Sequence, residues 1–231
     1  ISNSFITPID VVLLTQCIIQ LKNYGNQFSI THIKNQLVKK YIENIGLMSF
    51  CDANYIAPQT INSIPSYTAM PIRRVERETM NTYINSTQNY FASICGEKDL
   101  TMLNLCLSEL INNVYDHSYS KIGAYVFCQY YPTNNEIILC IGDLGLGIPE
   151  SVNTYMANND KTILSNIDCV KWALRERNTI GSFPYNAGKG LDNVNSFVKA
   201  NNSSWQLFTN AVKLNGHPSG KRYSKIPFII L

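Results

Sequence analysis

The 231-residue chain is 45% hydrophobic and 15% charged, with a net charge of +3. That length allows one large or two smaller domains with a sizeable core. The charge is too small, and no Lys/Arg run exceeds two residues, to point to nucleic acid. No apolar stretch nears the ~20 residues of a membrane span, and residues 1–20 lack the basic start and small-residue cleavage site of a signal peptide.

The seven cysteines are scattered without a Cys-x-x-Cys pair, which gives no zinc site and no disulfide framework. Reduced thiols and a cytoplasmic protein are expected. The chain begins at Ile1 rather than Met, as a fragment would.

In chain order, Thr7-Pro8 reads as a helix start, Thr as the cap and Pro in the first turn. Val11, Leu13, Leu14, Cys17, Ile18 and Leu21 follow at helical spacing, and Asn23-Tyr-Gly25 reads as a stop. Residues 27–30 suggest a short strand, and Ile33, Leu37, Val38, Tyr41 and Ile42 a second helix. Residues 52–70, with Pro58 and Pro65 among many Ser, Thr and Asn, are irregular and mark the expected boundary. Helices are predicted over 75–95 and 99–117. A hairpin is predicted over 122–131 and 136–142, turning at Pro132-Thr-Asn-Asn135. A long segment, 149–187, has one helical patch around Val170 and Leu174. Then come a helix over 190–199 and strands over 204–209 and 225–231. The second part is therefore expected to be α+β, helices layered over a mixed or antiparallel sheet.

The chemistry gathers in three places. On the helix at 99–117, Glu109, Asn113 and Asp116 recur at i, i+4 and i+7, flanked by Asn112 and His117. A carboxylate and an amide one turn apart suit a hard cation and its water, as phosphate chemistry needs. A solvated polar face is the plainer reading of that stripe alone. The second place is Ile141-Gly-Asp143-Leu-Gly145-Leu-Gly147-Ile-Pro149. An Asp at the end of an apolar strand can accept a hydrogen bond from an exocyclic amine, and glycines let the backbone take positive φ or approach a flat ligand closely. The third is Gly188-Lys189-Gly190-Leu191, where glycines open a helix whose free N–H groups and dipole favour an anion.

In this order, the three resemble the motifs of the GHKL ATPases, the gyrase, Hsp90, histidine-kinase and MutL superfamily. Glu109-x-x-x-Asn113-x-x-x-His117 is similar to the N-box, in its histidine-kinase and anti-sigma-factor-kinase form. Asp143-x-Gly145-x-Gly147 is similar to the G1 box, and Gly188-x-Gly190-Leu191 to the G2 box, with an ATP lid at about 150–187. The resemblance covers residues 73–231 and implies a two-layer α/β sandwich of the Bergerat type that binds ATP and Mg2+. It implies that Asn113 holds Mg2+, Glu109 serves as general base and Asp143 reads adenine beside Gly147. Gly188, Lys189 and Gly190 would take the phosphates. Asp116 and His117 would lie near the phosphates, and Thr209 would help hold the adenine. The chain departs from the family at Gly190-Leu-Asp192, where many members have a further glycine.

Residues 1–70 resemble a smaller STAS-like α/β unit, the kind of domain that anti-sigma kinases phosphorylate. Thr7 then reads either as a phosphorylated position or as a helix cap. A histidine autokinase is disfavoured, because His32 is the one histidine upstream of the N-box and does not sit on a helical hairpin. The resemblance implies a Mg2+–ATP-dependent protein Ser/Thr kinase or slow ATPase in signalling. The alternative is an ATP-gated binding or dimerisation switch with little turnover. ATP or ADP, a protein partner and a homodimer are the expected associations, without nucleic acid or membrane.

Overall fold

The computed structural model describes residues 6–30, 33–52, 68–96, 100–175 and 190–226. It is mixed α and β with two small antiparallel sheets, and its described part divides into two compact units. One unit comprises Ile1–Asp99 and Ile122–Asp143, the other Leu100–Lys121 and Leu144–Leu231.

The first unit is built on strands β1 (Ala69–Val75), β2 (Ala124–Tyr131) and β3 (Glu136–Gly142), paired in that order. The β2–β3 hairpin forms as the alternation predicted, its turn closed by Asn135 at φ 53°. In β2 the residues Ala124 through Cys128 are all buried, so both faces of the strand are covered. On one side Tyr125 meets Phe50 edge-on, ring centres 5.8 Å apart. An odd number of residues away, and so on the opposite face, Cys128 meets the hydroxyl of Tyr83 at 3.9 Å. Burial pushes the Cys128 thiol up to about 12, as it does that of Cys140. All seven cysteines are free.

Helix α1 (Pro8–Asn23) packs on β2 and β3. Its Val12 and Gln16 lie so close to Gly142 that a Cβ there would sit 2.7 Å from Val12 Cγ1. At the start of α1, the Thr7 hydroxyl donates to Asp10 Oδ2 at 2.6 Å and its N–H to the same oxygen at 2.9 Å. Helix α2 (Gln36–Asn44) is capped by Asn35, whose side chain accepts from Leu37 N at 2.9 Å. Short α3 (Met48–Cys51) follows, and α4 (Met80–Cys95) packs on β1.

Three features of this unit differ from the sequence expectation. Residues 27–30 pair with no strand among the described residues. Residues 69–75, expected to be linker and helix start, are strand β1. Pro71 is accommodated because β1 is an edge strand whose register shifts between Met70 and Arg73, the setting in which a strand tolerates a missing N–H. Finally, residues 1–70 and 73–231 do not correspond to the two compact units, since α1 lies on the β2–β3 hairpin.

The second unit holds α5 (Thr101–Asn113), a π turn (Val114–Ser118), α6 (Gly147–Asn158), α7 (Asn166–Ala173) and α8 (Gly190–Ala200). Its sheet runs β4 (Trp205–Thr209), β5 (Val212–His217) and β6 (Gly220–Lys225) in order. Cys106 of α5 packs with Val194 and Val198 of α8, and Val170 of α7 packs with Val212 and Leu214 of β5. In the long segment expected over 149–187, the helical patch foreseen around Val170 and Leu174 forms as α7, and α6, not foreseen, precedes it; residues 176–187 lie outside the described residues. Ile148, Val152 and Met156 form a stripe at i, i+4 and i+8 that packs with Cys169 and Trp172. Ser165 caps α7 by accepting from Asp168 N at 3.2 Å, and the Asn153 amide makes two bonds to the Leu164 backbone, at 3.0 and 2.9 Å. Strands β5 and β6 were not foreseen; β6 meets the strand expected over 225–231 only at Lys225, and residues 227–231 lie outside the described residues.

Phe127 is wholly buried, so Phe127→Ala is expected to cost about 3–5 kcal/mol. Denaturant unfolding followed by circular dichroism checks this through the loss in midpoint.

Candidate functional site

Helix α5 buries Leu103, Cys106, Leu107 and Ile111, which leaves Glu109 and Asn113 half-buried, one turn apart on another face. At Val114 the helix widens into the π turn, carrying Asp116 and His117, before Tyr119 ends it at φ 54°. π turns are rare, and many sit at functional sites. The charges here feel one another. Burial, and then the Asp116 carboxylate, raises the Glu109 carboxyl above the ordinary glutamate range. Burial lowers the His117 imidazole, against an opposing pull from Asp116. Burial, and then Glu109, pushes the Cys106 thiol up to about 11.

The glycine-rich turn at 144–147 is fastened to the end of that helix. Leu146 N–H donates to Ser118 O at 2.7 Å, and Ser151 Oγ donates to His117 O at 3.0 Å. Gly145 is pressed against the Ser118 carbonyl, and a Cβ there would overlap it. Gly147 has φ +76°, a conformation that glycine adopts without strain. From the other side, Thr209 Oγ1 accepts from Ile148 N at 2.9 Å and donates to Asn210 Oδ1 at 3.3 Å. Asn210 Nδ2 donates to Leu146 O at 3.2 Å, and a Cβ on Gly147 would overlap Asn210 Oδ1. The glycines are therefore required by packing within the unit, before any ligand is considered.

Glu109, Asn113, Asp116, His117, Gly145, Gly147 and Thr209, all picked from sequence, belong to the second unit; its bonds join the 117–118 end of the π turn to Leu146 and Ser151, and Thr209 to Ile148. Asp143 is the residue just after β3 and closes the first unit, as an Asp at a strand end was expected to be placed. Gly188 and Lys189 lie outside the described residues. Gly190 and Leu191 are the first residues of α8, described in backbone alone. That helix packs on α5 through Val194 and Val198. Thr209 spends its donor and one lone pair within the turn, so its observed work is to hold the start of α6. Ser118, Ser151 and Asn210 were not picked out from sequence. Asn210, after a strand and before another, carries the one signal that could have found it, a turn residue at positive φ (47°).

The residues fit a hard divalent cation in part. The Asp116 carboxylate opposes ionisation of Glu109, Asn113 follows Glu109 by one helical turn, and oxygen donors of this kind suit Mg2+. Among the described residues no group of three or more His, Cys, Asp or Glu is placed to hold a metal alone. Phosphate oxygens and water would have to complete the shell.

Two outcomes are expected. Gly145→Ala forces a methyl onto a backbone carbonyl and should destabilise the protein by about 1–3 kcal/mol, measured by thermal and denaturant unfolding. A carboxyl raised by folding contributes stability that is complete below the unfolded-state pKa and is lost as pH rises through the folded one. Glu109→Gln should therefore flatten the fall in stability just above the ordinary glutamate range, read from unfolding midpoints across pH.

No family model matches the chain, and neither does any curated protein or solved structure.

Proposed function

We propose that the chain is a Mg2+-dependent ATP-binding protein of the GHKL kind, acting as a protein Ser/Thr kinase or slow ATPase. The observation that carries this reading is the Leu146 N–H to Ser118 O bond at 2.7 Å. It ties the helix bearing Glu109 and Asn113 to the Gly145–Gly147 turn, two elements that have no reason to meet in a merely solvated polar face. The likeness to a Bergerat-type fold, and of residues 1–70 to a STAS unit, belongs to the same proposal.

In this reading Asp143 would accept from the adenine amino group, and Gly188, Lys189, Gly190 and Leu191 would take the phosphates. Asn113 holds Mg2+, with Glu109 or Asp116 reaching it through water. The bound cation would neutralise charge on the transferring phosphoryl group. The raised Glu109 carboxyl stands closer to neutral pH than an ordinary glutamate, which favours its use as a general base toward a hydroxyl or water. The seven free thiols accord with a cytoplasmic setting.

A second use of the same site is an ATP-gated switch toward a protein partner or a second copy. It is favoured by the bonds from Ser151 to His117 and from Asn210 to Leu146, which would pass ordering of the turn into α6.

Calorimetric titration with ATP, with and without Mg2+, tests the site. Asp143→Ala should lose at least about tenfold in affinity, and Asn113→Ala should lose mainly the Mg2+-dependent part. Equal affinity in wild type and both variants contradicts the proposal. Glu109→Ala should keep binding but lower turnover by about 10²–10⁴. If turnover is negligible in the wild type and Glu109→Ala alters only partner binding, the switch is the function.

A further inference from the structure

Helix α1 is apolar on both of its sides. Between Asp10 and Lys22 it carries no charged residue. One side, with Val11, Val12 and Ile18, is buried in the first unit. The other holds Leu13, Leu14, Cys17, Leu21 and Tyr24, at i, i+1, i+4, i+8 and i+11, which is the spacing of a single helical face. On that face Leu13 is 42% exposed, Leu14 43%, Leu21 42% and Tyr24 75%. A helix lying on a core ordinarily turns polar side chains to water. Single exposed apolar residues are common, whereas a contiguous row of them marks a contact surface.

The face is its own complement. Its residues are spaced symmetrically about Cys17, with Leu13 and Leu21 four positions to either side and Asp10 and Tyr24 seven. A second copy of α1, crossing antiparallel on a twofold axis at Cys17, sets Leu13 on Leu21 and Asp10 beside Tyr24, once at each end of the contact. Asp10 already accepts from Thr7 through Oδ2, and a carboxylate has further lone pairs for a phenol that donates. Matched polar ends thus close an apolar centre. Parallel pairing would oppose Asp10 to Asp10 and align the two helix dipoles, both unfavourable.

A lipid surface fits this face less well. Interfacial helices flank their apolar stripe with Lys and Arg. Here the one basic residue of the helix is Lys22, whose ammonium donates to Phe50 O at 2.9 Å.

We infer that the outward face of α1 is a homodimer contact, in which two copies pack antiparallel through Leu13, Leu14, Cys17 and Leu21. A 16-residue helix is about 24 Å long, so the contact belongs at the small end of specific interfaces and the dimer is a reversible one. The inference concerns the first unit alone and does not depend on ATP binding.

Sedimentation velocity of the full chain without nucleotide, across a wide concentration range, is the test. Wild type should show a monomer–dimer equilibrium. The paired substitution Leu13→Lys with Leu21→Lys sets like charges into the centre of the contact and should weaken association by at least about tenfold. Its thermal unfolding, followed by circular dichroism at a concentration where wild type is monomeric, should be unchanged, because both side chains are exposed. A short bismaleimide should join two copies through Cys17, and Cys17→Ser should remove that cross-linked species. The inference is overturned if wild type stays monomeric throughout, if the paired variant associates like wild type, or if the cross-link survives Cys17→Ser. It is equally overturned if the paired variant only lowers the melting temperature, which would mean that another part of the same chain covers the face. Binding to vesicles of phosphatidylcholine and phosphatidylglycerol in place of self-association would overturn it in favour of a membrane.

Discussion

A single backbone hydrogen bond, from Leu146 N–H to Ser118 O, organises the second unit's polar side. It requires that nothing protrude from residue 145, because the Ser118 carbonyl occupies the place of a Cβ. It also requires that the chain reverse at residue 147, where φ is +76°. The two glycines of Gly145-Leu-Gly147 answer these demands separately, one by small size and the other by conformational freedom. Around this bond the Ser151 hydroxyl, the Thr209 hydroxyl and the Asn210 amide take up neighbouring carbonyls and N–H groups. Polar backbone that would otherwise be orphaned at the junction of a helix end and a helix start is thereby satisfied.

The electrostatics of the α5 face follow from where that fastening occurs. The π turn ends α5 against the glycine turn, and Asp116 is held near enough to Glu109 to oppose its ionisation. Glu109 and Asp116, both partly buried, flank Asn113 along this stretch of helix and π turn, and the proposed metal role of Asn113 draws on that set of oxygen donors.

Much of this was legible in the sequence where period and punctuation agreed. The β2–β3 hairpin and the apolar stripe of α5 were read from alternation and helical spacing, and Gly147 from the demand for positive φ. Strand β1 was hidden by Pro71, which argues against a strand unless a register shift at an edge absorbs it. Helix α6 was hidden by Pro149 and by the surrounding glycines, although a proline within the first helical turn is harmless. Its stripe of Ile148, Val152 and Met156 becomes decisive only against Cys169 and Trp172, a tertiary fact. The position of α1 on β2 and β3 was likewise beyond local pattern. Gly142 lacks a side chain where Val12 and Gln16 press in, yet a lone glycine does not name its neighbour. Of the candidate residues, those on helix faces and turns could be ranked by type and spacing. Ser118 and Ser151 could not, since they act through bonds that only the folded chain creates.

The central claim is that nucleotide binding reinforces the junction of residues 113–118, 144–148 and 209–210. Amide hydrogen exchange of the full chain, with and without Mg2+ and ATP, measures this directly. The account predicts that exchange slows together in these three stretches on nucleotide addition and reverts when Mg2+ is chelated. Unchanged exchange there under saturating Mg2+ and ATP, or slowing confined to other parts of the chain, would contradict it.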